Sequence, residues 1–274
     1  MGKSKAIPIL VVLLGGMLMW LSACEGLIER TFIFFPSHRL EATPLQMGLQ
    51  FQECFFTNED GLELHGWYVP AKGSAPVIMW CHGNGGNISH RLDYITRLHQ
   101  IGLGVWIFDY RGYGLSQGRP SEAGVYQDAR AAYHHLCSAL AVRPLQIVLL
   151  GRSLGGVIAA DLATQVVVRA LIVESAFTRI GDMARHHYAW LPGKVLFAHK
   201  FDLTQRLAAL KIPKLFIHGE QDEIVPFWMG EQLYKMAPPP KEFYPIPGAG
   251  HNDTYLVGDQ KYFTRLKSFI DQSF

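Results

Sequence analysis

A chain of 274 residues with 49% hydrophobic and 18% charged content can bury one sizeable core and is too apolar to be disordered. Its formal net charge is +2, and taking away Lys3 and Lys5 with an N-terminal leader leaves basic and acidic residues equal in number. A neutral body without a basic stripe excludes nucleic acid as a partner.

The first element is a targeting segment. Lys3 and Lys5 precede an apolar run from Ala6 to Trp20, which ends in Leu21-Ser22-Ala23-Cys24. A basic start, a short apolar stretch and small residues make a secretory signal over residues 1–23. Its last four residues resemble a bacterial lipobox, in which Cys24 is lipidated and becomes the first residue after cleavage. Read instead as an uncleaved membrane helix, the run spans only about 23 Å at 1.5 Å per residue, short of the ~30 Å hydrocarbon core. Either way the body is expected at a membrane, outside the cytoplasm. Residues 24–54 form a leader into a domain expected over 55–274. The aromatic segment Glu29–Pro36 begins five residues after Cys24, a tether of at most about 17 Å at ~3.4 Å per residue.

Strand and helix patterns then alternate. Phe55–Thr57 and Glu63–Tyr68 read as a hairpin across Asn58-Glu59-Asp60-Gly61. Val77–Cys81 is an apolar strand, Arg91–Ile101 a helix and Val105–Asp109 another strand. The helix Ser121–Leu140 starts with Ser121 as cap and Glu122 as first-turn acid. Ile147–Leu150 is a strand that runs directly into a helix, where Leu154, Val157, Ile158 and Leu162 recur at helical spacing. Ala170–Glu174, Lys214–His218 and Glu242–Ile246 are further strands. The stretch Thr178–Leu210 is irregular, mixing Met183, Tyr188, Trp190 and Phe197 with a Pro192-Gly193 break. This alternation predicts an α/β fold with a mostly parallel sheet and helices on both faces. Beyond Cys24 the cysteines are Cys54, Cys81 and Cys137, an odd number placed in strand and helix patterns. They read as free buried thiols. No zinc-ligand spacing appears and no cofactor is required.

Chemistry concentrates where the strand Ile147–Leu150 meets Gly151-Arg152-Ser153-Leu154-Gly155-Gly156. A serine on a tight strand-to-helix turn, flanked by glycines, is a nucleophile elbow. Its hydroxyl needs a base and a carboxylate that orients the base. Two loops past the carboxyl ends of strands, where ligands bind in open α/β sheets, supply them. One holds Glu220, Asp222 and Glu223; the other, Gly248-Ala249-Gly250-His251-Asn252-Asp253, holds His251. A histidine in that loop is a better base than His134 or His135 in a helix. Asp222 is favoured among the acids because Ile224-Val225-Pro226 restart the apolar chain immediately after it, with Glu220 and Glu223 left open. Glu174 reads as a structural hydrogen-bonding residue. The glycine-rich His82-Gly83-Asn84-Gly85-Gly86-Asn87 loop can bring backbone N–H groups against a substrate oxygen, with the Leu154 N–H as second donor. As a phosphate cradle it lacks the Gly-x-x-x-x-Gly-Lys-Ser/Thr spacing.

Together with Phe108-Asp109-Tyr110-Arg111-Gly112-Tyr113-Gly114, Ser116 and Pro120-Ser121-Glu122, these motifs make Glu29–Phe274 resemble the α/β-hydrolases of the Bem46/ABHD17-like group, placed with the serine aminopeptidase-like (S33) hydrolases. The resemblance implies the α/β-hydrolase fold with a small helical cap near 178–210. It implies a triad of Ser153, Asp222 and His251, with Asn84 and Leu154 as oxyanion donors. Gly85 departs from the pattern, since relatives carry a small or medium side chain there. The expected activity is cleavage of a carboxylic ester or acyl thioester, presented at a membrane, by a monomer. A serine aminopeptidase or amidase is one alternative, and a non-catalytic membrane-bound binding protein on the same fold is the other.

Overall fold

The strands follow the apolar runs of the sequence. In chain order they are β1 (Phe35–Pro36), β2 (Gln52–Thr57), β3 (Glu63–Val69), β4 (Val77–Cys81), β5 (Gly85–Gly86), β6 (Gly104–Phe108), β7 (Ile147–Arg152), β8 (Ala170–Glu174), β9 (Lys214–Gly219) and β10 (Lys241–Ile246). Between them lie α1 (Leu92–Gln100), α2 (Glu122–Ser138), α3 (Leu154–Ala163), α4 (Ile180–His187), α5 (Leu203–Ala208), α6 (Phe227–Met236), α7 (Thr254–Val257) and α8 (Asp259–Gln272). The computed structural model describes residue 31, residues 33–187 and residues 200–273. The expected signal segment, Cys24 and the middle of the expected cap lie outside the described residues.

Eight strands make one sheet in the order β10-β9-β8-β7-β4-β6-β3-β2. Neighbours are parallel except β3, which runs antiparallel to both β2 and β6. Strands β4, β6, β7, β8 and β9 are buried along their whole length, which is why they read as unbroken apolar runs rather than alternating ones. Their pleat still sorts the side chains. Met79, Trp106, Leu149 and Val173 pack with α2 and α3 on one face, while Ile78, Trp80, Ile107 and Leu150 pack with α1 and α8 on the other. Ser121 caps α2 by accepting the Gly124 N–H at 3.2 Å. This is the expected α/β-hydrolase fold.

Sheet order places the chemistry. After β4 the chain adds β6 on one side, then returns to add β7 on the other. The connections leaving β4 and β7 therefore diverge, opening a crevice at the carboxyl ends of these two strands, the point where ligands bind in open α/β sheets. The β4 end carries the His82–Asn87 loop and the β7 end carries Ser153.

The leader differs from its expected form. Ile33 and Phe34 are buried in the core, β1 pairs with β5 in a small parallel sheet, and β2 already begins at Gln52. The leader is thus packed onto the body, because its apolar residues have a core to enter. Phe34 packs edge-on against Phe201 at 6.0 Å, and Phe201 in turn meets Tyr126. Of the expected cap, α4 and α5 are described and residues 188–199 are not.

Candidate active site

Ser153 sits between the last residue of β7 and the first of α3, at φ 54° and ψ −120°. A non-glycine residue pays for positive φ, and such strain persists only where the surroundings over-determine it. Here the surroundings are backbone. A Cβ on Gly155 would lie 1.9 Å from the Cys81 carbonyl oxygen, and one on Gly151 would lie 2.3 Å from the Gly155 carbonyl oxygen. The two glycines let α3 press onto β4 and β7, and the turn at Ser153 is what remains. The Ser153 N–H donates to the Glu174 carbonyl at 2.9 Å, and the Ser153 carbonyl accepts from Gly156 N–H at 2.9 Å.

His251 and Asp222 are brought together from loops after β10 and β9. The His251 Nδ1 lies 2.8 Å from Asp222 Oδ2 and 3.1 Å from Oδ1. A ring nitrogen facing a carboxylate carries the proton, so Nε2 is left as the acceptor. Asp222 Oδ1 also accepts the backbone N–H groups of Ile224 at 2.9 Å and Val225 at 2.7 Å. Burial pushes the Asp222 carboxyl up, but hydrogen bonds from His218, His251 and the Val225 backbone outweigh it and hold the group well below the usual carboxylate range. Of the three candidate acids, only Asp222 reaches the imidazole. Glu223 instead accepts the His251 backbone N–H at 3.2 Å. The Ser153 hydroxyl makes no hydrogen bond among the described residues; contacts of this kind tighten when substrate seats.

Three supporting roles escaped the sequence reading. Arg152 donates from its guanidinium to the His251 carbonyl at 2.7 Å, tying the residue before Ser153 to the base. The signal was a charged residue at the end of a buried strand, which requires a partner. His218, the penultimate residue of β9, lies 3.3 Å from Asp222 Oδ2 and donates from Nε2 to the Val225 carbonyl at 2.8 Å. Glu223 fills the third supporting role. Glu174 makes no hydrogen bond to His251. It is fully buried and accepts from Tyr262 at 3.0 Å, from Tyr94 at 3.3 Å and from Thr254, three residues after His251.

Across the crevice stands the glycine-rich loop. A Cβ on Gly83 would be 3.5 Å from the Ser153 Cβ, so the loop abuts the elbow. The Asn84 carbonyl accepts from Phe35 N–H at 3.1 Å and Tyr113 hydroxyl at 2.8 Å, and its side chain donates to the Ile33 carbonyl at 2.8 Å. Its backbone N–H and that of Leu154, the first residue of α3, donate to no acceptor among the described residues. Beneath the loop, Asp109 accepts the Ile88 N–H at 3.0 Å and lies 3.5 Å from His82 and 3.9 Å from His65. Burial raises its carboxyl, and the closeness of the two histidines more than reverses that, leaving it below the usual carboxylate range. Gly85 has open space where a Cβ would stand.

Known proteins resemble this chain in sequence and fold. The family model described as serine aminopeptidase, S33, matches residues 73–201. A protein of Mycobacterium tuberculosis, Rv2307c, is 34% identical over 276 residues, covering 99% of this chain and 97% of its own. The Arabidopsis thaliana α/β hydrolase domain-containing protein WAV2 is 32% identical over 251 residues, covering 84% of this chain and 82% of its own. Among solved structures, the Pyrococcus furiosus esterase Pf2001 has a TM-score of 0.73 at 21% identity, over 88% of this chain and 97% of that one. A puromycin-hydrolyzing peptidase of Mycobacterium tuberculosis has a TM-score of 0.69 at 19% identity, over 82% of this chain and 39% of that one. At such identities the structural likeness speaks to the fold alone. The curated relatives carry the assignment, over nearly their whole length: this chain belongs to the α/β-hydrolase family.

Proposed function

We propose that this hydrolase cleaves carboxylic esters or acyl thioesters through an acyl-enzyme on Ser153. The observation that carries the reading is the strained Ser153 at the sheet's switch point, facing a loop whose Asn84 N–H has no acceptor among the described residues, with His251 bonded to Asp222 through Nδ1. Ser153 Oγ attacks the carbonyl carbon as His251 Nε2 takes its proton, and Asp222 stabilises the imidazolium. The tetrahedral oxyanion receives the Asn84 and Leu154 N–H groups. His251 then returns the proton to the departing alkoxide or thiolate. Water repeats the sequence on the acyl-enzyme and releases the carboxylic acid.

The test is Ser153→Ala against wild type, using a fluorophosphonate probe and a short-chain p-nitrophenyl ester. Labelling and turnover should vanish while the fold stays intact. A labelled, active Ser153→Ala protein would remove the nucleophile assignment, and an unlabelled, inactive wild type would leave a binding protein on the hydrolase fold. The description of the family model favours amide cleavage as a second reading. Aminoacyl anilides cleaved faster than esters of the same acyl group would select it.

A membrane setting is part of the proposal. Lys3, Lys5, the apolar run Ala6–Trp20 and the lipobox-like end at Cys24 support a lipid-modified anchor outside the cytoplasm. The substrates that fit such a setting are acyl esters or thioesters presented at a bilayer surface.

A further inference from the structure

The loop that faces Ser153 receives little support from the main sheet. β4 ends at Cys81, and Asn84–Asn87 run beyond it. Gly86 sits at φ 80°, a conformation that glycine allows without stiffening the chain. Arg91 donates to the Gly85 carbonyl, Tyr113 to the Asn84 carbonyl, and the leader holds the same stretch at several further points. Ile33 accepts from the Asn84 side chain at 2.8 Å and Phe35 N–H donates to the Asn84 carbonyl at 3.1 Å. Ser37 N–H donates to the Gly86 carbonyl at 3.0 Å, and the Asn87 side chain donates to the carbonyls of Ser37 at 3.0 Å and Arg39 at 2.7 Å. The leader is itself fixed, because Phe34 is only 2% exposed and packs on Phe201.

We infer that the leader segment Ile33–Arg39 is a positioning element of the oxyanion hole, acting through the bond from the Asn84 side chain to the Ile33 carbonyl. The inference rests on the acyl-transfer reading above, in which the Asn84 N–H meets the oxyanion. A donor of this kind acts only when held within about 0.5 Å and 10–20° of its working geometry. Residue 84 is gripped at its carbonyl and its side chain, and two of those three bonds come from the leader. The leader thus orients a catalytic N–H without touching substrate.

Two variants reach the same contact from opposite sides. Asn84→Asp is nearly isosteric but replaces the donor with an acceptor facing the Ile33 carbonyl. Phe34→Ala loosens the leader and leaves the loop sequence unchanged. Each should lower kcat on a short-chain ester by about 10- to 100-fold, part of the 10²- to 10³-fold that loss of one oxyanion donor costs. KM should stay within about twofold, because ground-state binding does not use the hole. Affinity for a trifluoromethyl ketone, whose serine adduct carries the oxyanion, should fall by the same factor as kcat/KM. The double variant should lose much less than the product of the single losses. Unchanged kcat in Asn84→Asp, or a fall in kcat with undiminished trifluoromethyl ketone affinity, overturns the inference. If Phe34→Ala fails to fold, Asn84→Asp decides alone. If Ser153→Ala remains active, the acyl-transfer reading fails first; if Ser153→Ala is dead and both leader variants are fully active, only this inference fails.

Discussion

Asp222 is held more tightly than its role toward His251 requires. Its carboxylate takes the His251 Nδ1, two backbone N–H groups and a close approach from His218. Asp222→Asn should keep substrate binding and lower turnover by up to about 10⁴-fold, because the amide favours the wrong imidazole tautomer and cannot balance the imidazolium. Glu174→Gln should spare kcat, since the Glu174 carboxylate serves Tyr94, Tyr262 and Thr254 rather than the base. A Glu174→Gln loss as deep as that of Asp222→Asn would move the acid to β8. A stability signature follows from the same contacts. The folded carboxyl titrates below its unfolded value of about 3.9, so the folded state binds fewer protons in that range. The stabilisation is complete above about pH 4 and is lost as pH falls toward the depressed value. The difference in urea midpoint between wild type and Asp222→Asn should therefore be greatest near neutral pH and shrink below about pH 4. A gap that widens in acid would contradict the assignment.

At the scale of elements, the elbow was legible because its signal is a backbone requirement. Gly151 and Gly155 report where α3 must touch β7 and β4, and the sequence shows them beside the serine. Gly155→Ala would drive a methyl group into the Cys81 carbonyl, which cannot turn aside without breaking β4. It should cost about 3 kcal/mol or more, at the upper end of overpacking, read as a lower urea midpoint with an unchanged slope. Gly85→Ala, which points into open space, should change stability by less than about 0.5 kcal/mol and barely move that midpoint. Equal losses would mean the elbow is not packed as described. The parallel strands and their helices were also legible, since each is one local apolar run. Contacts between distant segments were not. The bond from Arg152 to the His251 carbonyl spans 99 positions and that from Asn84 to Ile33 spans 51. No local period reports either, and β1 pairs with a loop rather than with a strand of the main sheet.

At the scale of the whole molecule, the leader from Ile33 onward and the active site share one edge. Ile33 bonds to Asn84, and Ile33 lies nine positions after Cys24. Fully extended, that stretch reaches about 30 Å at ~3.4 Å per residue. A lipid on Cys24 would therefore keep the carboxyl ends of β4 and β7 close to the bilayer. Phe35 is 54% exposed beside that edge, and Leu115 is 48% exposed next to Gly114, whose N–H donates to Ser37. Both are apolar side chains on the leader side of the crevice, where a lipid surface would meet them. Tethering raises the local concentration of substrate in the same membrane without adding any contact to it. Cys24→Ser should release the protein into the soluble fraction and reduce hydrolysis of a long-chain acyl ester in vesicles by about tenfold or more. Turnover of a soluble short-chain ester should be unchanged, because the leader from Ile33 onward remains folded against the loop. A Cys24→Ser protein that stays with the membrane would assign the anchor to the Ala6–Trp20 run instead. Equal rates of the released and tethered forms on vesicle substrate would refute membrane presentation as the basis of substrate choice.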